Sequence, residues 1–99
     1  MSNSANFAAI DLGAESGRVI LGTVSDSKLE LSDLHRFPNG PIRTLDELHW
    51  DVLRLWSEMK QGVGMASQRA SGLRGIGIDT WGVDFGLFVH GHALLGNSF

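Results

Sequence analysis

Two short apolar runs stand on either side of one amphipathic stretch, and this arrangement constrains the fold of the 99-residue chain more than any other feature. The first run, Phe-Ala-Ala-Ile-Asp-Leu at 7–12, is almost wholly apolar, as expected of a strand buried on both faces. The second, Arg-Gly-Ile-Gly-Ile-Asp at 74–79, has the same character. Between them Val52, Trp56, Met59, Val63 and Ala66 recur at three- and four-residue steps, with Leu53 and Leu55 widening the face, which is helical spacing. Strand, helix and strand in that order return the second strand parallel to the first through a right-handed crossover.

The remaining elements follow from local signals. Arg18 to Val24 is rich in β-branched residues and reads as a strand. Ser25-Asp26-Ser27 is a turn. Lys28 to Phe37 alternates Leu29 and Leu31 with polar residues and then slips to Leu34, as a bulged strand does. The first three strands form an antiparallel meander. Asp51 is the expected N-cap of the helix, with Thr44-Leu45-Asp46-Glu47 a short turn ahead of it. Gly62 and Gly64 each weaken the helix by about 1 kcal/mol relative to Ala, and Gly72 is the expected C-cap. Val83 to Val89 is a further apolar strand, and the stretch from Leu94 to Phe99 has no capping element. The expected fold is α/β: a mixed sheet of three antiparallel strands, one crossover helix and further strands. One helix leaves one sheet face largely bare, so the chain reads as the opening of a larger domain.

Composition excludes several classes. A chain that is 42% hydrophobic and 19% charged is not intrinsically disordered. Eight Lys and Arg against eleven Asp and Glu give a net charge of −3, without the basic footprint of a nucleic-acid binder. The absence of Cys removes disulfides, thiolate metal sites and Cys nucleophiles, and fits a cytoplasmic location. Met1 to Phe7 lacks the features of a signal peptide, and no apolar run reaches membrane-spanning length, so no membrane partner is expected.

Two segments carry chemistry. In Asp-Leu-Gly-Ala-Glu-Ser-Gly-Arg at 11–18 an acid ends a buried strand and a glycine-bounded turn follows. Backbone amides in such a turn can form an anion nest, Asp11 can hold a hydrated divalent cation beside it, and Arg18 can neutralise charge. By spacing alone an ordinary hairpin with a surface Arg fits as well. In Asp79-Thr80-Trp81-Gly82-Val83-Asp84 two acids flank an aromatic and a glycine, the vocabulary of a sugar cleft. Composition alone favours core packing for Trp81, a bulge at Gly82 and a solvated Asp84.

The 11–18 segment resembles the first phosphate motif of the FGGY carbohydrate kinases, a motif widely shared among actin-like ATPases. Gly-Ile-Asp-Thr-Trp-Gly-Val-Asp-Phe at 77–85 resembles the branch of that family that phosphorylates L-rhamnulose, and is more specific. His35-Arg36-Phe37 with Asn39-Gly40, and His49-Trp50-Asp51-Val52, resemble the same branch. The likeness runs from about Phe7 to about Asn97. It implies a ribonuclease-H-like (actin-like) domain, with residues 1–99 the incomplete N-terminal part of the first of two kinase domains. It implies transfer of the ATP γ-phosphoryl group to the 1-hydroxyl of L-rhamnulose, with Mg²⁺. Ala14, Glu15, Ser16, Gly17 and Arg18 would sit at the ATP phosphates and Asp11 at Mg²⁺. Gly82 would contact the sugar, with Asp84 and Trp81 beside it. Relatives often carry a small hydroxyl residue where Glu15 stands, so Glu15 is expected to point away from the phosphates. The catalytic base lies beyond Phe99 by this likeness, and the fragment is expected to be inactive alone.

Two other readings are open. A ribonuclease-H-like nuclease would gather Asp11, Glu58 and Asp79 around two metals. A non-catalytic module would self-associate through its exposed apolar surface and sheet edge. Asp84-Phe85-Gly86 imitates a protein-kinase metal motif without the rest of that signature. His90-Gly91-His92 reads as a solvated turn, His35 and His49 as packed or locally bonded, and Asp26 and Asp33 as solvated. Trp50, Trp56 and Phe37 read as core or helix–sheet contacts.

Overall fold

The computed structural model describes residues 4–80, 82, 84–91, 93–94 and 96–99. Strands β1 (Ser4–Leu12), β2 (Ser16–Ser25) and β3 (Lys28–Pro38) form the antiparallel meander. A small hairpin of β4 (Ile42–Thr44) and β5 (Glu47–His49) follows, then helix α1 (Val52–Arg69). Strand β6 (Gly75–Thr80) returns parallel to β1, so the main sheet has the order β3-β2-β1-β6. A last pair, β7 (Phe88–Val89) and β8 (Ala93–Leu94), lies outside that sheet. No helix among the described residues is long and apolar enough to cross a membrane.

The slip in β3 is a bulge. Val19 pairs with His35 but Ile20 pairs with Asp33, which leaves Leu34 without a partner. The bulge re-aims the strand. Leu29 and Leu31, opposite Val24 and Gly22, lie on the side away from α1, whereas Leu34 packs against the core under the helix. That core consists of Ala8, Ile10, Val19, Leu21 and Ala66. Gly62 brings α1 close to β2, because a Cβ there would stand 2.2 Å from Val19 Cγ2. The glycine expected only to weaken the helix is therefore the point of helix–sheet contact.

Several expectations are corrected. Helix α1 starts as expected, with the Asp51 carboxylate accepting from the Arg54 amide at 3.3 Å. It ends earlier, because Ala70 is the C-cap and turns to extended backbone, leaving Gly72 no capping role. Thr44 to Glu47 is a turn ahead of the helix as expected, and the structure adds that it is the tip of the β4–β5 hairpin. In the expected strand from Val83 to Val89 only Phe88–Val89 pairs as β-structure, and Val83 lies outside the described residues. Strands β1 and β6 are not buried on both faces: one helix covers one side of β1, and Ile76 and Ile78 stay 56% and 60% exposed because α1 does not reach over β6. Phe37 is buried as expected, but Trp56 is 53% exposed.

The segment read as lacking a capping element docks against the helix start. The Asn97 side-chain oxygen accepts from the Val52 amide at 3.0 Å, and the Trp50 amide donates to the Ser98 carbonyl at 3.0 Å. Phe85 and Phe99 exchange backbone bonds of 3.2 and 2.8 Å, and their rings stack 5.1 Å apart. Asp51 and Asn97 together satisfy two of the amides that any helix start leaves free.

Candidate functional site

Side-chain alternation places the charged groups. Ala8 and Ile10 face α1, so Asp11 faces the other side of the sheet. Its register partners are Arg18 on β2 and Asp79 on β6. The two acids thus lie side by side on parallel strands. Arg18 Nε donates to Asp11 Oδ2 at 3.2 Å, and its Nη1 lies 3.9 Å from Asp33 Oδ2. Asp33 also accepts from Arg36 Nη2 at 2.6 Å, so it is ion-paired rather than simply solvated. Asp11 and Arg18 are about half exposed, and the row crosses the open face near the β1–β2 turn.

The turn is closed by the Gly13 amide donating to the Ser16 carbonyl at 2.9 Å. Two of its carbonyls are held by one residue. Asn39 donates its main-chain N–H to Glu15 O at 2.9 Å and its Nδ2 to Gly13 O at 2.6 Å. Among the described residues the Ala14 amide meets no backbone acceptor. Gly17 is fully enclosed: a Cβ would lie 2.4 Å from the Phe37 ring, so this glycine serves packing. On the helix side, a cavity of about 310 Å³ opens beside the same turn. Leu12 and Thr80 at the strand ends, Trp50 and Trp56 near the helix start, and Asn39, Asp84 and Ser98 line it. It is mostly apolar with a few polar groups, the general make-up of a small-molecule site.

The amino-acid sequence has counterparts among known proteins. No family model matches the chain. It is 44% identical over 80 residues to the rhamnulokinase of Bacteroides thetaiotaomicron, a match of 81% of this chain and 16% of that protein. It is 38% identical over 96 residues to the rhamnulokinase of Mannheimia succiniciproducens, 95% of this chain and 20% of that one. Over this length the chain is a rhamnulokinase-like sequence. It spans about a sixth to a fifth of the length of these relatives.

In this rhamnulokinase-like chain the expected site residues fall into two places. Asp11, Glu15, Ser16 and Arg18 gather at the β1–β2 turn, with Glu15 and Ser16 exposed and Gly17 buried under Phe37. Gly82 and Asp84 are exposed beyond the end of β6, and Asp84 lines the cavity. Trp81 lies outside the described residues, as does His92 of the His-Gly-His turn. Glu58 is on the opposite side of the sheet from Asp11, with its Oε1 3.6 Å from His35 Nε2 under the helix. The nuclease cluster of Asp11, Glu58 and Asp79 therefore does not form, and among the described residues no three acids or histidines gather as a metal site. The sequence pointed to Asn39 only through the likeness carried by His35-Arg36-Phe37 with Asn39-Gly40, not as a residue of the 11–18 turn. Its only local signal was a side chain able to bond backbone, placed directly after a strand.

Proposed function

We propose that this chain is part of an ATP-dependent ketose kinase that phosphorylates the 1-hydroxyl of L-rhamnulose. The observation that carries the reading is 44% identity to a rhamnulokinase across 81% of the chain. The fold is read as the first part of an actin-like, ribonuclease-H-like domain, on the strength of the β3-β2-β1-β6 order and the single crossover helix. ATP-dependent sugar chemistry of this kind belongs in the cytoplasm.

The residues divide the work. The turn from Ala14 to Arg18 binds the ATP phosphates through backbone amides and the Ser16 hydroxyl. Arg18, held by Asp11 and Asp33, offsets phosphate charge. Asp11 and Asp79, adjacent and solvent-accessible, suit a cation that keeps most of its waters and is shared with phosphate oxygens. Bound Mg²⁺ would neutralise charge building on the phosphates. Glu15 is exposed, and its carboxylate turns away from the nucleotide. Gly82 and Asp84 meet the sugar at the cavity end of the sheet, where Asp84 accepts from a sugar hydroxyl, and the resemblance assigns Trp81 to the same sugar. In the reaction the sugar oxygen bonds to the γ-phosphorus while the bond from that phosphorus to the ADP oxygen breaks. The hydroxyl proton passes to a general base, a role given to none of the residues named above.

The test is a chimera. The matching segment of the Bacteroides rhamnulokinase is replaced by this chain, and ATP- and Mg²⁺-dependent phosphorylation of L-rhamnulose is measured. Turnover within about tenfold of the unmodified host, a loss of about 1.4 kcal/mol of transition-state stabilisation, is expected. A folded chimera that binds neither ATP nor the sugar refutes the reading.

A further inference from the structure

Asn39 is 6% exposed, one of the few buried polar residues, yet it lies in a loop just past β3. Its two hydrogen bonds go to the carbonyls of Gly13 and Glu15, at 2.6 and 2.9 Å. A trans peptide unit is planar, and its C=O and N–H point in opposite directions. Drawing the Gly13 carbonyl toward Asn39 therefore turns the Ala14 N–H away from it. Drawing the Glu15 carbonyl the same way turns the Ser16 N–H away. One residue thus sets the direction of two amides in the turn.

We propose that Asn39 is a positioning residue that aims the Ala14 and Ser16 amides at nucleotide phosphate oxygens. The inference rests on the kinase reading above and deepens it. Asn39 itself touches no phosphate; it acts through the turn. Its own place is fixed from two sides. The preceding Pro38 carbonyl accepts from Arg54 Nη2 on α1, and Phe37 packs onto Gly17. The turn is thereby braced against the helix through β3 and Asn39. The side chain matters because any residue but proline at 39 retains the main-chain bond to Glu15, whereas only a donor reaching Gly13 holds the second carbonyl. Asn39 also lines the cavity beside Thr80 and Asp84, so the same side chain separates the turn from the proposed sugar space.

The experiment uses the chimeric kinase with Asn39→Asp, Asn39→Ala and, as a stability control, Leu34→Ala. Asn39→Asp is nearly isosteric and keeps the main-chain bond, but its carboxylate cannot donate to the Gly13 carbonyl. Leaving that buried acceptor unmet while the turn loosens is expected to raise KM for ATP about tenfold. KM for L-rhamnulose should rise less than KM for ATP, staying within about threefold, since Asn39 lines the cavity but both of its hydrogen bonds go to the turn. Leu34→Ala removes packing under the helix without touching the turn, and should lower the unfolding midpoint while leaving KM for ATP unchanged. An Asn39→Asp enzyme with wild-type KM for ATP overturns the inference alone. So does a Leu34→Ala enzyme whose KM for ATP rises as much, since the effect would then be general loosening. A parent chimera without ATP-dependent turnover defeats the kinase reading and takes this inference with it.

Discussion

Two glycines two residues apart in α1 should respond to the same substitution with opposite sign. Helix propensity alone gives Gly→Ala a gain of about 0.8–1.0 kcal/mol at either position. At Gly64 a new Cβ meets nothing within 4 Å, so that gain should appear in full. At Gly62 the Cβ would lie 2.2 Å from Val19 Cγ2 and 2.6 Å from Val19 Cβ. Ordinary carbon contacts are about 3.5–4.0 Å. Because Val19 Cβ is itself too close, rotating the valine does not relieve the clash; the helix has to lift. Lifting it pulls the fully buried Ala66 away from Ala8, Ile10 and Leu21. Overpacking of this kind costs about 1–3 kcal/mol, occasionally more, which exceeds the propensity gain. Gly62→Ala should therefore destabilise by up to about 2 kcal/mol, at roughly 4–8 °C of unfolding midpoint per kcal/mol in a domain of this size. The measurement is thermal unfolding followed by circular dichroism at fixed protein concentration. In a Val19→Ala background the penalty of Gly62→Ala should shrink but not vanish, because the alanine keeps the Cβ that would lie 2.6 Å away, a coupling that a double-mutant cycle isolates. A Gly62→Ala chain that unfolds at or above the parent midpoint refutes the account of helix docking.

Four further outcomes are expected. Asn97→Ala removes the acceptor of the Val52 amide and should cost about 1 kcal/mol, read as a lower unfolding midpoint. Leu45, exposed at the β4–β5 tip with φ of 58°, is in left-handed backbone that costs an L-residue about 1–2 kcal/mol, so Leu45→Gly should raise the midpoint. In the chimeric kinase Asp11→Asn should lower turnover by about a hundredfold or more, with the loss greatest at low Mg²⁺; unchanged Mg²⁺ dependence would count against Asp11. The chain by itself should self-associate, because Leu29 and Leu31 on one sheet face and Ile76 and Ile78 on the other are exposed. A monomer in sedimentation at micromolar concentration would contradict this.

The order of elements was legible because it rests on local signals. The β-branched run before Val24, the slip from Leu31 to Leu34 and the carboxylate of Asp51 ahead of a helical period each act within a few residues, and each lies where it was expected. The first phosphate-type segment was legible as a turn for the same reason. The docking of Asn97 on the helix start was not legible, since its partner Val52 is 45 residues away and no pattern ties the two. The shortening of the strand expected from Val83 to Val89 has the same origin: apolar residues signal burial, but pairing needs a neighbouring edge, which among the described residues of that stretch only Phe88 and Val89 find.

The chain's own residues determined which elements form and which ends carry acids, because hydrophobic period, β-branching and capping are short-range properties. Tertiary structure decided everything that depends on which face meets which. It set Asp11 beside Asp79 and away from Glu58, made Gly62 a contact instead of a weakness, and gave Asn39 the two carbonyls of a turn 24 and 26 residues earlier in the chain. Those relations come from strand register and helix placement, and register is a property of the assembled sheet, in which a shift of one residue in β1 would have sent Asp11 to the other side.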